Sequence, residues 1–155
     1  MIVHLLTEQG ADVNARDRSQ STPLHQASSE GKAEAVQLLI ELGADVNARD
    51  ELQSTPLHLV SSSPWRNAET IIQLLIKHGA CVNAYDGEHK TPLHRLAASW
   101  EYNTGSLRLL LENGADVDVE DDEGLTPFQL ASSNERREIT QLISDHRASV
   151  VSNRM

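Results

Sequence analysis

Two short motifs return along this chain in a single register, and that periodicity limits the fold more than any other feature. Thr22, Thr55, Thr91 and Thr126 open TPLH, TPLH, TPLH and TPFQ, while Gly10, Gly43, Gly79 and Gly114 open GADVNA, GADVNA, GACVNA and GADVDV. Both series are spaced by 33, 36 and 35 residues. Two independent markers in step across most of the chain predict a stack of similar units rather than one globule of unlike elements.

Each unit reads as a helix pair. Thr followed by Pro supplies an N-cap hydroxyl and a preset φ at the first helical position, where the missing N–H is no loss. A second apolar-periodic stretch follows in AVQLLIELG, TIIQLLIKHG and SLRLLLENG. Each ends on Gly, the residue suited to a left-handed C-cap. The polar stretches between units, such as ADVNARDRSQS, read as short hairpins or extended loops. Aromatics make up only 3% of the 155 residues, so the core must be thin layers of Leu, Ile, Val and Ala.

These motifs resemble the ankyrin repeat, whose hallmark runs D-x-x-G-x-TPLHLAA, a loop, a Leu-rich helix, then GADVNA. The resemblance implies an all-α solenoid of stacked helix pairs joined by β-hairpin-like loops. About four repeats are expected as one domain spanning 1–155: a leading half-repeat at 2–16, repeats at 17–49, 50–85 and 86–120, and a capping repeat at 121–153. The copies at 50–85 and 86–120 carry three and two extra residues.

A metal-site or catalytic reading of the TPLH histidines fails on spacing. His25, His58 and His94 fall on successive units whose helices should lie roughly 8–10 Å apart, too far to share one ion. The resemblance implies that each ring bonds its capping Thr or a neighbouring repeat's backbone. Gln129 stands at this position in the fourth copy. No phosphate loop, nucleophile elbow or Cys–His pairing is present. Asp116 begins a D-x-D run, but its Gly comes too late for a calcium loop. No enzyme, metal or cofactor is therefore expected.

The net charge of −10 repels phosphate backbones and anionic lipid, so a protein partner with a basic patch is expected rather than nucleic acid or membrane. Cys81 is alone and is expected to be a small buried hydrophobe. MIVHLLTEQG lacks a basic n-region and a cleavage site, which predicts an intracellular protein, cytoplasmic or nuclear. Ile2, Val3, Leu5 and Leu6 are apolar in a half-repeat without its own first helix. That edge suggests an upstream part of a longer array, with end-to-end dimerisation of an otherwise monomeric chain as the rival.

The expected function is a non-enzymatic protein-interaction module; the alternatives are a structural or self-associating segment of a longer array, or a regulatory domain of a larger enzyme. Ankyrin proteins typically bind along the hairpin tips and the inner face of the first helices, which here points to Arg16, Arg18, Arg49, Glu88, Glu120, Asp122 and Glu123. The four tips sum to +1, −1, −2 and −4. Two enlarged loops, 62–70 and 98–105, carry Trp65 and Trp100, each readable as a binding anchor or as a cover for its own loop. Tyr85, Tyr102 and the tip residue Leu52 join the candidate surface. Gln20, Gln53 and His89 replace the family's turn Gly, which either strains the turn or reshapes it. Asn14, Asn47 and Asn83, each eight residues after a Leu, resemble asparaginyl hydroxylase substrates, although bonding the turn explains their presence. The last copy carries Thr140 and Ser144 where its predecessors are apolar, and Arg147 where they have Gly. This marks 130–148 as a cap with a frayed tail after about Ala148.

Overall fold

The structure, a computed structural model, describes residues 10–99, 104–134 and 136–152. Within them the chain forms eight helices and no strand. The helices are α1 (Pro23–Ser29), α2 (Ala33–Glu41), α3 (Pro56–Ser61), α4 (Ala68–Lys77), α5 (Pro92–Ala98), α6 (Thr104–Glu112), α7 (Pro127–Ser133) and α8 (Arg137–Ser152). The short odd-numbered helices pack on one another in sequence, α1 on α3, α3 on α5 and α5 on α7; the even-numbered helices form a second row behind them. The molecule is a two-layer solenoid, as the resemblance implied.

Local chemistry sets these boundaries. Thr22 sits in the extended region (φ −96°, ψ 165°) with Pro23 at the first helical position, and Thr55, Thr91 and Thr126 repeat that arrangement. Gly43, Gly79 and Gly114 end the second helices at φ of +89°, +90° and +83°, a conformation that costs a side-chain-bearing residue roughly 1–2 kcal/mol. Between the rows, Leu24, Leu57 and Leu93 from the first helices and Val36, Ile72 and Leu107 from the second are fully buried. Each such side chain contributes about 1.5–3 kcal/mol on burial.

The linkers contain tight turns and no ladder. Asp17 N–H bonds Ser21 C=O at 3.0 Å, and Asp50, Asp86 and Asp121 close the same turn with Ser54, Lys90 and Leu125. Successive tips are stitched together by a backbone bond each: Glu51 N–H to Ser19 C=O at 2.9 Å, Gly87 to Leu52 at 2.8 Å, and Asp122 to Glu88 at 3.2 Å.

Three expectations need correction. Cys81 is exposed, because it occupies the outward turn position held by Asp12, Asp45 and Asp116 in the other copies, all exposed. The enlarged loops are shorter than expected, since α4 already starts at Ala68 and α6 at Thr104. The final helix does not stop near Ala148; it continues to Ser152, Arg147 having replaced the Gly that breaks the other second helices. Arg147 instead pairs with Asp118 and lies over the Phe128 ring, 5.9 Å from its centroid. The apolar start at Ile2, Val3, Leu5 and Leu6 lies outside the described residues.

Candidate protein-interaction surface

The recurring polar side chains sort into those that join repeats and those that face solvent. Each TPLH histidine belongs to the first group. His25 Nδ1 accepts from Thr22 N–H at 3.2 Å and from the Thr22 hydroxyl at 2.9 Å, and its Nε2 lies 3.0 Å from Ser54 C=O in the next repeat. An Nδ1 that accepts an amide leaves the proton on Nε2, which therefore donates to that carbonyl. His58 repeats this with Thr55 and Lys90 C=O, and His94 with Thr91 and Leu125 C=O. Burial pushes both His58 and His94 below the usual histidine range, outweighing the forward carbonyl bond that opposes it. The rings are bolts between layers. Among the described residues no group of three or more His, Cys, Asp or Glu converges as metal ligands would.

A second ladder runs through the asparagines. Asn47 Nδ2 donates to Gly79 C=O at 2.9 Å while its Oδ1 accepts from Cys81 N–H at 2.8 Å. Asn14 bridges to Gly43 and Asp45, and Asn83 to Gly114 and Asp116. Each asparagine satisfies the end of the next repeat's second helix, beyond the turn-bonding role foreseen from sequence.

The tip aspartates are also engaged. Asp50 Oδ1 accepts from Leu52 and Ser54 N–H, and Asp17, Asp86 and Asp121 do the same in their own turns. At Asp86, burial pushes the carboxyl up, but bonds from Glu88 N–H, Arg95 and Lys90 N–H together hold it below the usual carboxylate range. Arg95 reaches Asp86 with Nε at 2.7 Å. The D-x-D run is held the same way, Asp116 accepting from Asp118 N–H.

Two residues of the candidate surface are joined to the scaffold. Arg16 Nη1 donates to Gln20 C=O at 3.0 Å and to Arg49 C=O at 2.6 Å; Arg49 Nη1 does so to Gln53 and Tyr85 at the same distances. Both brace one tip against the next, although sequence alone presents them as free charges. Arg18, Glu88, Glu120, Asp122 and Glu123 are exposed, with Glu88 salt-bridged to Lys90 at 2.8 Å. Leu52 is 64% exposed and Tyr85 39%, and the Tyr85 ring stacks on His89 at 4.2 Å.

Trp65 does something neither sequence reading described. Its Nε1 donates to Ser29 C=O at 2.7 Å, and its ring fills the space a β-carbon at Gly31 would need. It thus clasps the preceding repeat's interhelix loop while remaining 47% exposed. Asn67 adds a bond to Gly31 C=O. Trp100 and Tyr102 lie outside the described residues.

A family model described as ankyrin repeats (3 copies) matches residues 1–86 and again 67–154. The chain belongs to the ankyrin repeat family. No individual curated protein matches the sequence. Ankyrin repeats are in general protein–protein interaction modules, and proteins built of them are typically non-enzymatic. No helix among the described residues is long and apolar enough to cross a membrane.

Proposed function

We propose that this ankyrin domain is a non-enzymatic, intracellular interaction module that holds a protein partner along its hairpin tips, the inner face of its first helices and its enlarged loops. One observation carries the reading. The repeated His, Asn and Asp side chains are engaged in joining layers or closing turns, whereas the side chains that vary between copies, among them Arg18, Leu52, Tyr85, Glu88 and Asp122, face solvent on a braced row. Such a surface is ordered before the partner arrives, which lowers the entropic cost of association. The domain boundaries of the sequence analysis are retained in this reading, with each repeat supplying one tip.

Affinity purification with mass spectrometry, comparing the natural chain with a Leu52→Ser/Tyr85→Ser variant and with Trp65→Ala, tests it. Loss of the same prey in either variant supports the reading, and an unchanged prey list in both contradicts it. Self-association through the apolar start is the second reading, favoured by Ile2, Val3, Leu5 and Leu6. Light scattering on the eluted chain separates the two, since only self-association raises the mass.

A further inference from the structure

We propose that the tip row takes one kind of partner, an extended, positively charged segment that leads with a single apolar side chain. The inference rests on the tip-binding reading above and adds the partner's chemistry and direction. It begins with which tip charges are free. Asp50, Asp86 and Asp121 are buried at 8%, 6% and 6% exposure, and Arg16 and Arg49 are tied to carbonyls. Asp17 is exposed but its Oδ1 is engaged by Ser19 and Ser21 N–H. The remaining solvent-facing charges are Arg18 on the first tip, Glu51 on the second, Glu88 on the third and Glu120, Asp122 and Glu123 on the fourth. The gradient therefore survives removal of every charge that turn chemistry explains. Lys90 and Arg95 flank Glu88 and Lys90 also approaches Asp121 and Glu123 at 3.9 and 3.8 Å, so the uncompensated negative charge of the row concentrates at Glu120 and Asp122.

The second observation is an apolar island at the middle of the row. Leu52, at 64% exposure, and the Tyr85–His89 stack stand on adjacent tips joined by the Gly87–Leu52 bond. A leucine exposed on a turn tip gains almost nothing for the fold. The third observation is backbone strain. Gln20, Gln53 and His89 hold φ of +58°, +59° and +57°, where a non-glycine residue is disfavoured and where strain marks contact surfaces. An extended segment advances about 3.3 Å per residue and the layers repeat at roughly 10 Å. The matching ligand therefore seats its apolar residue over Leu52 and Tyr85 and then presents Lys or Arg at about every third position toward 120–123.

Selection of phage-displayed random peptides on the immobilised full chain, followed by fluorescence anisotropy with the enriched peptides, tests this. Enriched peptides should be net positive with one apolar residue at the end of the basic run. Leu52→Ser should weaken them at least ~10-fold. Glu120→Lys/Asp122→Lys/Glu123→Lys should weaken them ~10-fold at low salt and abolish the loss of affinity with added salt. Circular dichroism melting confirms that these surface variants fold. Peptides that respond to Leu52→Ser but carry no positive bias overturn this inference and leave the tip-binding reading intact. Peptides indifferent to every tip variant but lost in Trp65→Ala overturn it and confine binding to the enlarged loop; a chain that enriches no peptide overturns both.

Discussion

The third and fourth copies begin their first helices with the same Thr-Pro cap, yet they treat the fourth motif position differently. His94 bonds backward to Thr91 and forward to Leu125 C=O at 3.1 Å. Gln129 accepts from Thr126 N–H at 2.7 Å, and among the described residues its side chain bonds nothing beyond its own turn. The same contrast holds where the second helix closes: Gly114 ends α6, whereas Arg147 lets α8 run on. At the asparagine position, Asn83 of the second copy reaches forward to Gly114 and Asp116 by amide bonds, and Asp118 of the third reaches forward to Arg147 of the fourth by an ion pair instead. The fourth copy departs from the motif where the motif's task is to bond a following layer. The conspicuous residues of the repeat are joints between units, and a unit can cap its own helix without them.

Deleting a joint should therefore cost far more than deleting its counterpart at the end. His58→Ala removes the acceptor of the Thr55 cap and the donor to Lys90 C=O inside a fully buried site. Such a change should lower stability by about 3 kcal/mol. Gln129→Ala, at an exposed position, should cost no more than about 1 kcal/mol. Urea denaturation followed by far-ultraviolet circular dichroism measures both. Equal midpoints for the two variants would break the comparison.

The asparagine position sharpens it at smaller scale. Asn47→Ala removes two bonds, to Gly79 C=O and from Cys81 N–H, and should cost about 1–2 kcal/mol. Asp118→Ala loses only a partly exposed ion pair and should cost below about 0.5 kcal/mol. The His58 and Asn83 bonds cross the same interface between layers, so the loss in a double variant lacking both should depart from the sum by a measurable coupling.

The joints also impose a pH dependence that the cap lacks. Burial holds His58 and His94 below 6.5, their ordinary value. The unfolded chain therefore binds their protons more readily than the folded chain does. Their contribution to stability is complete above pH 6.5 and is lost as pH falls from there through the folded values. Asp86, held below its ordinary 3.8, contributes above that value and loses its contribution only at still lower pH. Melting temperature measured from pH 7.5 to 4.5 should fall in the natural chain. In His58→Gln/His94→Gln, built on the chemistry of Gln129, that slope should flatten. An undiminished slope would assign the acid sensitivity to other groups.

Much of this was legible in the sequence because repetition displays its own register. Two motifs in step announce the layers, Thr-Pro announces each helix start, and triplication of His25, His58 and His94 argues for a scaffold role before any distance is known. The part that was not legible depends on where a side chain lands in the next unit. Arg16 and Arg49 look like free charges in an exposed tip, and only the position of the following tip's carbonyl shows them as braces. Trp65 was read as an anchor or as a cover for its own loop, but the partner of its indole N–H is Ser29, 36 residues away. At Cys81 residue type misleads, and the motif position, shared with three outward aspartates, is the better guide. The extent of α8 is hidden because the loss of Gly at 147 looks like decoration of a cap, when it removes the stop that ends the other second helices.

At one position the fourth copy keeps the family residue and the inner copies do not. Gly124 turns at φ +73°, while Gln53 holds φ +59° in the equivalent turn. If Gln53 is retained for its side chain and not for the fold, Gln53→Gly should stabilise the domain by up to about 1 kcal/mol, because relief of the left-handed strain exceeds the added flexibility of the unfolded chain. Gly124→Gln should destabilise by a similar amount, since nothing lies within 4 Å of a β-carbon there to add a clash to the backbone term. The two changes should thus be near mirror images in thermal denaturation. A Gln53→Gly variant that loses stability would mean that the added flexibility of the unfolded chain outweighs the relief of strain. The left-handed row would then belong to the scaffold, alongside the histidines and asparagines, and not to the surface it presents.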